Sequence, residues 1–303
     1  MHIPDGFLAT PVWAALDTAA VPAVGVLVRR AQRGFDQART PLLGVMGAFV
    51  FAAQMINFPV GVGTSGHLIG GALLAYTLGP SAAAVTMTAI LAIQALVFQD
   101  GGILALGANV WNMAVCGTLA AWLPFRIWGG GGARRAAVFA GAALSVMVSA
   151  VLAIGELLVS GIRMPVAVLG ISLALFVVSA VLEGAITVAV IRALEAIQPA
   201  FVRRPEAGRR ARAVAVLAIS AVLLAVVGVL FASTHPDGLE KLATQVGIAS
   251  QARALLPSPM ADYEAGFAAS PWLRRASAGM AGLVLIFGAC FLFGRYAARK
   301  RSA

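Results

Sequence analysis

The first eight residues, MHIPDGFL, place a histidine, an aspartate and a Pro-Asp-Gly turn ahead of the first apolar run. A histidine at position 2 can do specific metal chemistry. Its Nδ1, its own backbone nitrogen and the α-amine of Met1 can close two fused chelate rings on one ion, with three nitrogens in a plane. Replacing an amide proton requires a strongly Lewis-acidic ion with tetragonal preference, such as Ni²⁺ or Cu²⁺, and binding then releases protons. A fourth nitrogen would complete the square. His67, in the stretch GVGTSGHLIGG, is the other histidine of the apolar core. Two plainer readings stand beside this one: a disordered terminal His2, and a His67 that starts a helix and bonds a loop carbonyl. His235 reads as a solvated loop residue, and Asp5 as a turn residue whose carboxylate caps nearby amides.

The elements that position these residues belong to a membrane protein. The chain of 303 residues is 60% hydrophobic and 11% charged, with a mean hydropathy of +0.92; soluble domains carry roughly 25% charged residues. In lipid each helix satisfies its own backbone, and the 33 glycines suggest close helix contacts. No basic residue precedes the first apolar run, so the opening does not read as a secretory signal. A ruler of about 20 apolar residues per crossing gives spans near 10–28, 41–59, 67–79, 81–98, 103–125, 136–160, 165–190, 213–232 and 276–294. The expected fold is an all-α integral membrane bundle of about seven helices followed by two C-terminal transmembrane helices. The short spans on either side of Gly79-Pro80-Ser81 are expected to be tilted or partly interfacial.

Charge sets the expected sidedness. With residue 1 outside, the inner segments 29–39, 126–135, 192–212 and 295–303 hold 17 of the 22 Lys and Arg. The positive-inside rule selects that orientation, with the N-terminus outside and the C-terminus cytoplasmic. The net charge of +10 is then topological and implies no nucleic-acid partner. Three polar clusters share the outer face: the N-terminus with His2, the His67 loop, and Gln99-Asp100 followed by Asn109 and Asn112. Asp17, Gln54, Asn57, Glu156 and Glu183 are candidates for interhelical hydrogen bonds. Cys116 and Cys290 read as small packing residues.

The chain divides at 198–212, a basic linker expected on the cytoplasmic side, into modules 1–197 and 213–303. The second module has two helices around a long outer loop whose His235-Pro-Asp-Gly echoes the opening residues. Its helices hold no intramembrane acid, amide or histidine. The module is therefore expected to act on the outer gate without holding metal, and Asp237 to cap a helix starting near Leu239. No nucleophile–base arrangement or phosphate loop is present, so the chain is not expected to be an enzyme. A self-sufficient metal permease and a membrane-embedded metalloenzyme remain the competing classes.

MHIPDGFL together with SGHLIGG, in a helical membrane protein with an outward N-terminus, resembles the substrate-binding component of nickel and cobalt energy-coupling factor transporters, the NikM/CbiM family. The likeness covers about residues 1–200, and the tail, with HPDGLEKLATQVG, resembles the fused NikN/CbiN-type PDGLE component. The resemblance implies a square-planar all-nitrogen site formed by the Met1 amine, the His2 amide and imidazole nitrogens, and His67. It implies Ni²⁺ as the preferred transported ion, with Co²⁺ possible, and no further cofactor. It also implies partners: a transmembrane coupling subunit and ATPase subunits that together form an ABC-type importer. The stripe Gly44, Ala48 and Ala52 is a candidate interface for the coupling subunit, with internal packing as the alternative.

Overall fold

The computed structural model describes residues 1–33, 39–61, 63–198, 201–202 and 211–302. Most of the linker expected over 198–212, with Arg203, Arg204, Arg209 and Arg210, and part of the first basic segment lie outside the described residues. Helix α1 is Thr10–Arg33 and α2 is Thr40–Gln54; two short strands follow, β1 Phe58–Gly61 and β2 Thr64–Gly66. Next come α3 Gly71–Leu78 and α4 Pro80–Ile93, the latter continued by a π-helical turn, Gln94–Phe98. Helix α5 runs over 106–128 with a π-helical middle, Val110–Gly117. The chain continues through α6 Arg134–Val159, α7 Val166–Ile197, α8 Ala211–Val226, the loop helix α9 Gly238–Gln245 and α10 Pro271–Ser302. Six of these helices are long and apolar enough to cross a membrane. The chain is a multi-pass helical membrane protein.

The departure from the expected helices falls around His67. The span 67–79 becomes a helix only from Gly71, because 58–66 form an antiparallel hairpin with Phe58 opposite Gly66 and Pro59 opposite Ser65. Eight residues of α3 extend about 12 Å, too short to cross the hydrocarbon core. Helix α3 is enclosed by the protein, with Gly71 to Thr77 all buried. Side chains satisfy the non-helical backbone ahead of it. Glu183 of α7 accepts hydrogen bonds from the Ile69 and Gly70 amides at 2.8 and 2.9 Å, and Gln54 of α2 donates to the Ile69 carbonyl at 2.8 Å. Irregular backbone at membrane depth is tolerated only when it is buried and paired in this way. Gly70 starts α3 at φ +76°, where an added Cβ would lie 2.4 Å from Val50.

The two modules meet along α2 and α10, which run antiparallel in close contact. Gly294 lies against Thr40, Phe287 over Gly44, Ile286 and Cys290 against Gly47, Gly282 under Phe51, and Gly279 near Met55. Small residues on both helices allow the approach. The stripe expected to meet a coupling subunit lies within this contact region: Gly44 is covered by Phe287, and Ala48 and Ala52 are buried. Internal packing is therefore what the stripe does in this fold, and the face is closed to a partner while α10 is seated. Cys290 is a buried free thiol within the same contact and Cys116 a half-buried free thiol.

This packing makes a direct prediction. A Cβ at Gly282 would sit 2.2 Å from the Phe51 ring, whereas one at Gly25 on α1 meets nothing within 4 Å. Gly282→Val should cost about 1–3 kcal/mol and lower the thermal midpoint in detergent, while Gly25→Ala should not. Equal midpoints would contradict the α2–α10 contact.

Candidate metal centre

The N-terminus folds inward and is fastened residue by residue. Asn109 of α5 grips Ile3 twice, accepting from its amide at 2.8 Å and donating to its carbonyl at 3.0 Å. The Gly102 amide donates to the same carbonyl at 2.8 Å. The Asp5 carboxylate accepts from the amides of Ile103, Leu104 and Ala105, which supplies the amide-capping role expected of it. Gly6 turns the chain at φ +97°, with the Gln251 carbonyl oxygen 2.1 Å from where a Cβ would stand. Met1 and His2 are each only 8% exposed. The terminus is not a disordered tail.

These anchors deliver the Met1 amine to His67, 66 residues away, with 3.1 Å between the nitrogen and His67 Nε2. The His67 Nδ1 lies 3.1 Å from the Leu68 carbonyl. A carbonyl can only accept, so Nδ1 carries the proton and Nε2 presents a bare lone pair. A carbonyl behind the ring fixes the tautomer and raises ligand basicity. Burial, reinforced by the positive amine and His2, lowers the His67 pKa to about 4 against the opposing pull of Asp237 and Asp100. The imidazole is thus neutral near pH 7. The His2 and His67 rings are nearly parallel, 6° apart, with centroids separated by 5.6 Å.

Two carboxylates close the arrangement. Asp100 places Oδ1 2.9 Å from His2 Nδ1, while His2 Nε2 is buried without a hydrogen-bond partner among the described residues. Burial opposes the Asp100 charge, but His2, the amine and the Tyr263 hydroxyl outweigh it and hold the carboxyl below its ordinary range. Asp237 pairs its Oδ2 with the Met1 amine and lies 3.9 Å from His67 Nε2. Burial likewise disfavours its charge, and the amine and His67 pull its pKa down. A cavity of about 530 Å³ adjoins the cluster, lined by His2, His67, Asp100, Asp237 and Tyr263 among others.

The predicted residues Met1, His2 and His67 are brought together here. Asp237 caps α9 as expected, accepting from the Leu239 and Glu240 amides at 2.7 and 2.9 Å. The second module reaches the site through Asp237 and Tyr263. The loop after α8 joins the hairpin edge: the Ser65 amide donates to the Pro236 carbonyl at 2.8 Å, and Ser65 pairs with Asp237 as a parallel bridge. Tyr263 gave no signal in sequence, since an exposed-looking loop tyrosine has no pattern around it. The repeated Pro-Asp-Gly was a signal for Asp237. His235 bonds Ser233 and lies away from the amine, in the exposed loop.

The chain is similar to known metal-transport proteins over nearly its whole length. The model of the family described as cobalt uptake substrate-specific transmembrane region, CbiM, matches residues 2–201, and that of the PDGLE domain matches 211–299. The chain is 35% identical to a putative fused nickel transport protein NikMN of Archaeoglobus fulgidus, over 98% of this chain and 99% of that one. It is 40% identical to the fused nickel transport protein NikMN of Rhodobacter capsulatus, over 47% of this chain and 42% of that one. A crystal structure of a transition metal transporter superposes with a TM-score of 0.58 at 32% identity, covering 65% of this chain and 93% of the other. With its N-terminal two-thirds matched by one model and its remainder by the other, the chain belongs to the CbiM family of metal-transport membrane components and carries a C-terminal PDGLE domain.

Proposed function

We propose that this chain is the substrate-specific component of an energy-coupling factor importer. It captures Ni²⁺, or Co²⁺, outside the cytoplasmic membrane and passes the ion inward when a transmembrane coupling subunit and ATPase subunits are bound. Residues 1–197 form the metal-binding module, 198–212 the cytoplasmic linker and 213–303 the accessory module. The ligands are the Met1 amine, the His2 amide nitrogen and Nδ1, and His67 Nε2. The excess of Lys and Arg on 29–39, 126–135, 192–212 and 295–303 supports the sidedness.

One observation carries this reading: the Met1 amine and His67 Nε2 stand 3.1 Å apart, across 66 residues. A nitrogen bonds a first-row divalent ion at about 2 Å, so neighbouring nitrogens at a right angle stand about 2.8 Å apart. The observed spacing is within a few tenths of an ångström of that value. The other two nitrogens belong to His2, the residue that follows Met1. The ion has to displace protons from the amine and the amide, and His2 Nδ1 has to exchange Asp100 for the metal. Nickel is favoured because amide substitution and tetragonal preference meet in that ion.

Two measurements test the ligand set. Adding one residue ahead of Met1, or acetylating it, should abolish tight Ni²⁺ binding in a chain that still folds, with a lowered thermal midpoint because Asp237 loses its partner; unaltered metal content would remove Met1 from the site. His67→Ala should lower Ni²⁺ affinity at least tenfold, since loss of an outer-shell partner alone costs 10–100-fold, and should shift the visible band of the bound ion. Wild-type affinity would make His67 a loop residue only.

A further inference from the structure

The carboxylate of Asp237 has its two oxygens committed to different modules. Oδ1 caps α9 through the Leu239 and Glu240 amides, and Glu240 returns the favour by accepting from the Asp237 amide at 2.8 Å. Capping on one side and the bridge to Ser65 on the other fix the side chain. Oδ2 is left to face the Met1 amine, with His67 Nε2 at 3.9 Å. The Asp237 side chain is only 15% exposed, and those of Met1 and His67 less. A charge in such a place requires a partner.

The charge on the ligand set is the same before and after loading, an argument that rests on the four-nitrogen reading above. Metal-free, the amine carries one positive charge as an ammonium. Loaded, a divalent ion bound by a neutral amine, one deprotonated amide and two neutral imidazoles also carries one net positive charge. A carboxylate held by a helix cap beside the amine therefore neutralises both states without moving. We infer that Asp237 of the C-terminal module is the non-ligating counter-charge of the metal centre, so that the first module's ligand set is electrostatically complete only with the second module seated.

An independent contact leads from the same module to the other side of the site. The Tyr263 hydroxyl donates to Asp100 and accepts from Gln94 Nε2 at 3.0 Å, and Asp100 in turn holds His2 Nδ1. Tyr263 and its neighbour Asp262 sit at φ +58° and +53°, a left-handed conformation that costs non-glycine residues energy. The Tyr263 ring is stacked on Phe98, with centroids 4.9 Å apart. Packing of that quality holds the strained turn, and both carboxylates at the site are thereby set by the C-terminal module.

Asp237→Asn tests the counter-charge alone, because asparagine caps a helix as well as aspartate does; Asp237→Ser, which also caps, guards against an effect peculiar to one substitution. Because the same charge is neutralised in both states, Ni²⁺ titration of the full purified chain should leave affinity nearly unchanged in both variants and the visible band of bound Ni²⁺ unmoved, while the thermal midpoint in detergent falls in the metal-free and the loaded chain alike, the partner of a buried charge having been removed. Unchanged midpoints would overturn the inference, since Asp237 would then be idle, and a tenfold or larger change of affinity would overturn it too, since Asp237 would then serve one state only. A shifted band would overturn it by making Asp237 a ligand. A wild-type chain without the band of a four-nitrogen site would instead sink the reading on which the inference rests, and the inference with it.

Discussion

Backbone amides and carbonyls buried in a bilayer have to find partners inside the protein. A helix meets that demand by itself, but a metal-binding loop cannot. The segment 67–70 leaves helical geometry among buried residues, and it persists because Glu183, 114 residues further along the chain than Ile69, accepts both the Ile69 and Gly70 amides while Gln54 donates to the Ile69 carbonyl. Those bonds stand His67 in place with its Nδ1 on the Leu68 carbonyl. The N-terminal segment meets the same demand through Asn109 and Asp5, which pair with the Ile3 backbone and with the amides of 103–105. Two non-helical segments, each made affordable by polar side chains on neighbouring helices, converge on one point.

What converges there is chiefly nitrogen. The carbonyl behind His67 makes Nε2 a lone-pair donor aimed at the amine, and burial keeps the ring neutral near pH 7. The charge of the amine is answered from the C-terminal module, through Asp237, while Asp100, itself bonded to Tyr263, holds His2 Nδ1. The α2–α10 contact is what seats that module: glycines at 44, 47, 279, 282 and 294 let the two helices approach. Packing between the helices and electrostatics at the histidine cluster are thus one construction.

Much of this was legible in the sequence because it depends on local pattern. Apolar run length gave nine spans and each falls on a helix, but α3 starts later, α2 and α8 end earlier, and α7 and α10 run well past the expected ends. The position of His2 next to an α-amine, and the Pro-Asp-Gly turn, pointed to an inward-folded terminus with chelating nitrogens. The hairpin over 58–66 was not legible, since Gly-Val-Gly-Thr-Ser-Gly carries no alternating pattern and its edge is completed by residues 170 positions later. Gly44, Ala48 and Ala52 showed that some helix approaches closely, but spacing alone cannot name which one. Asp237 was legible as a helix cap, and its second role depends on which oxygen the cap leaves over, a tertiary fact.

The central claim is that one ion is held by four nitrogens from Met1, His2 and His67. X-ray absorption at the nickel edge of the loaded full-length chain tests it most directly. The account predicts four nitrogen scatterers at about 2 Å, with the imidazole outer-shell pattern of two rings and a square-planar edge. A six-coordinate shell of mixed nitrogen and oxygen, or a sulfur scatterer, would contradict it.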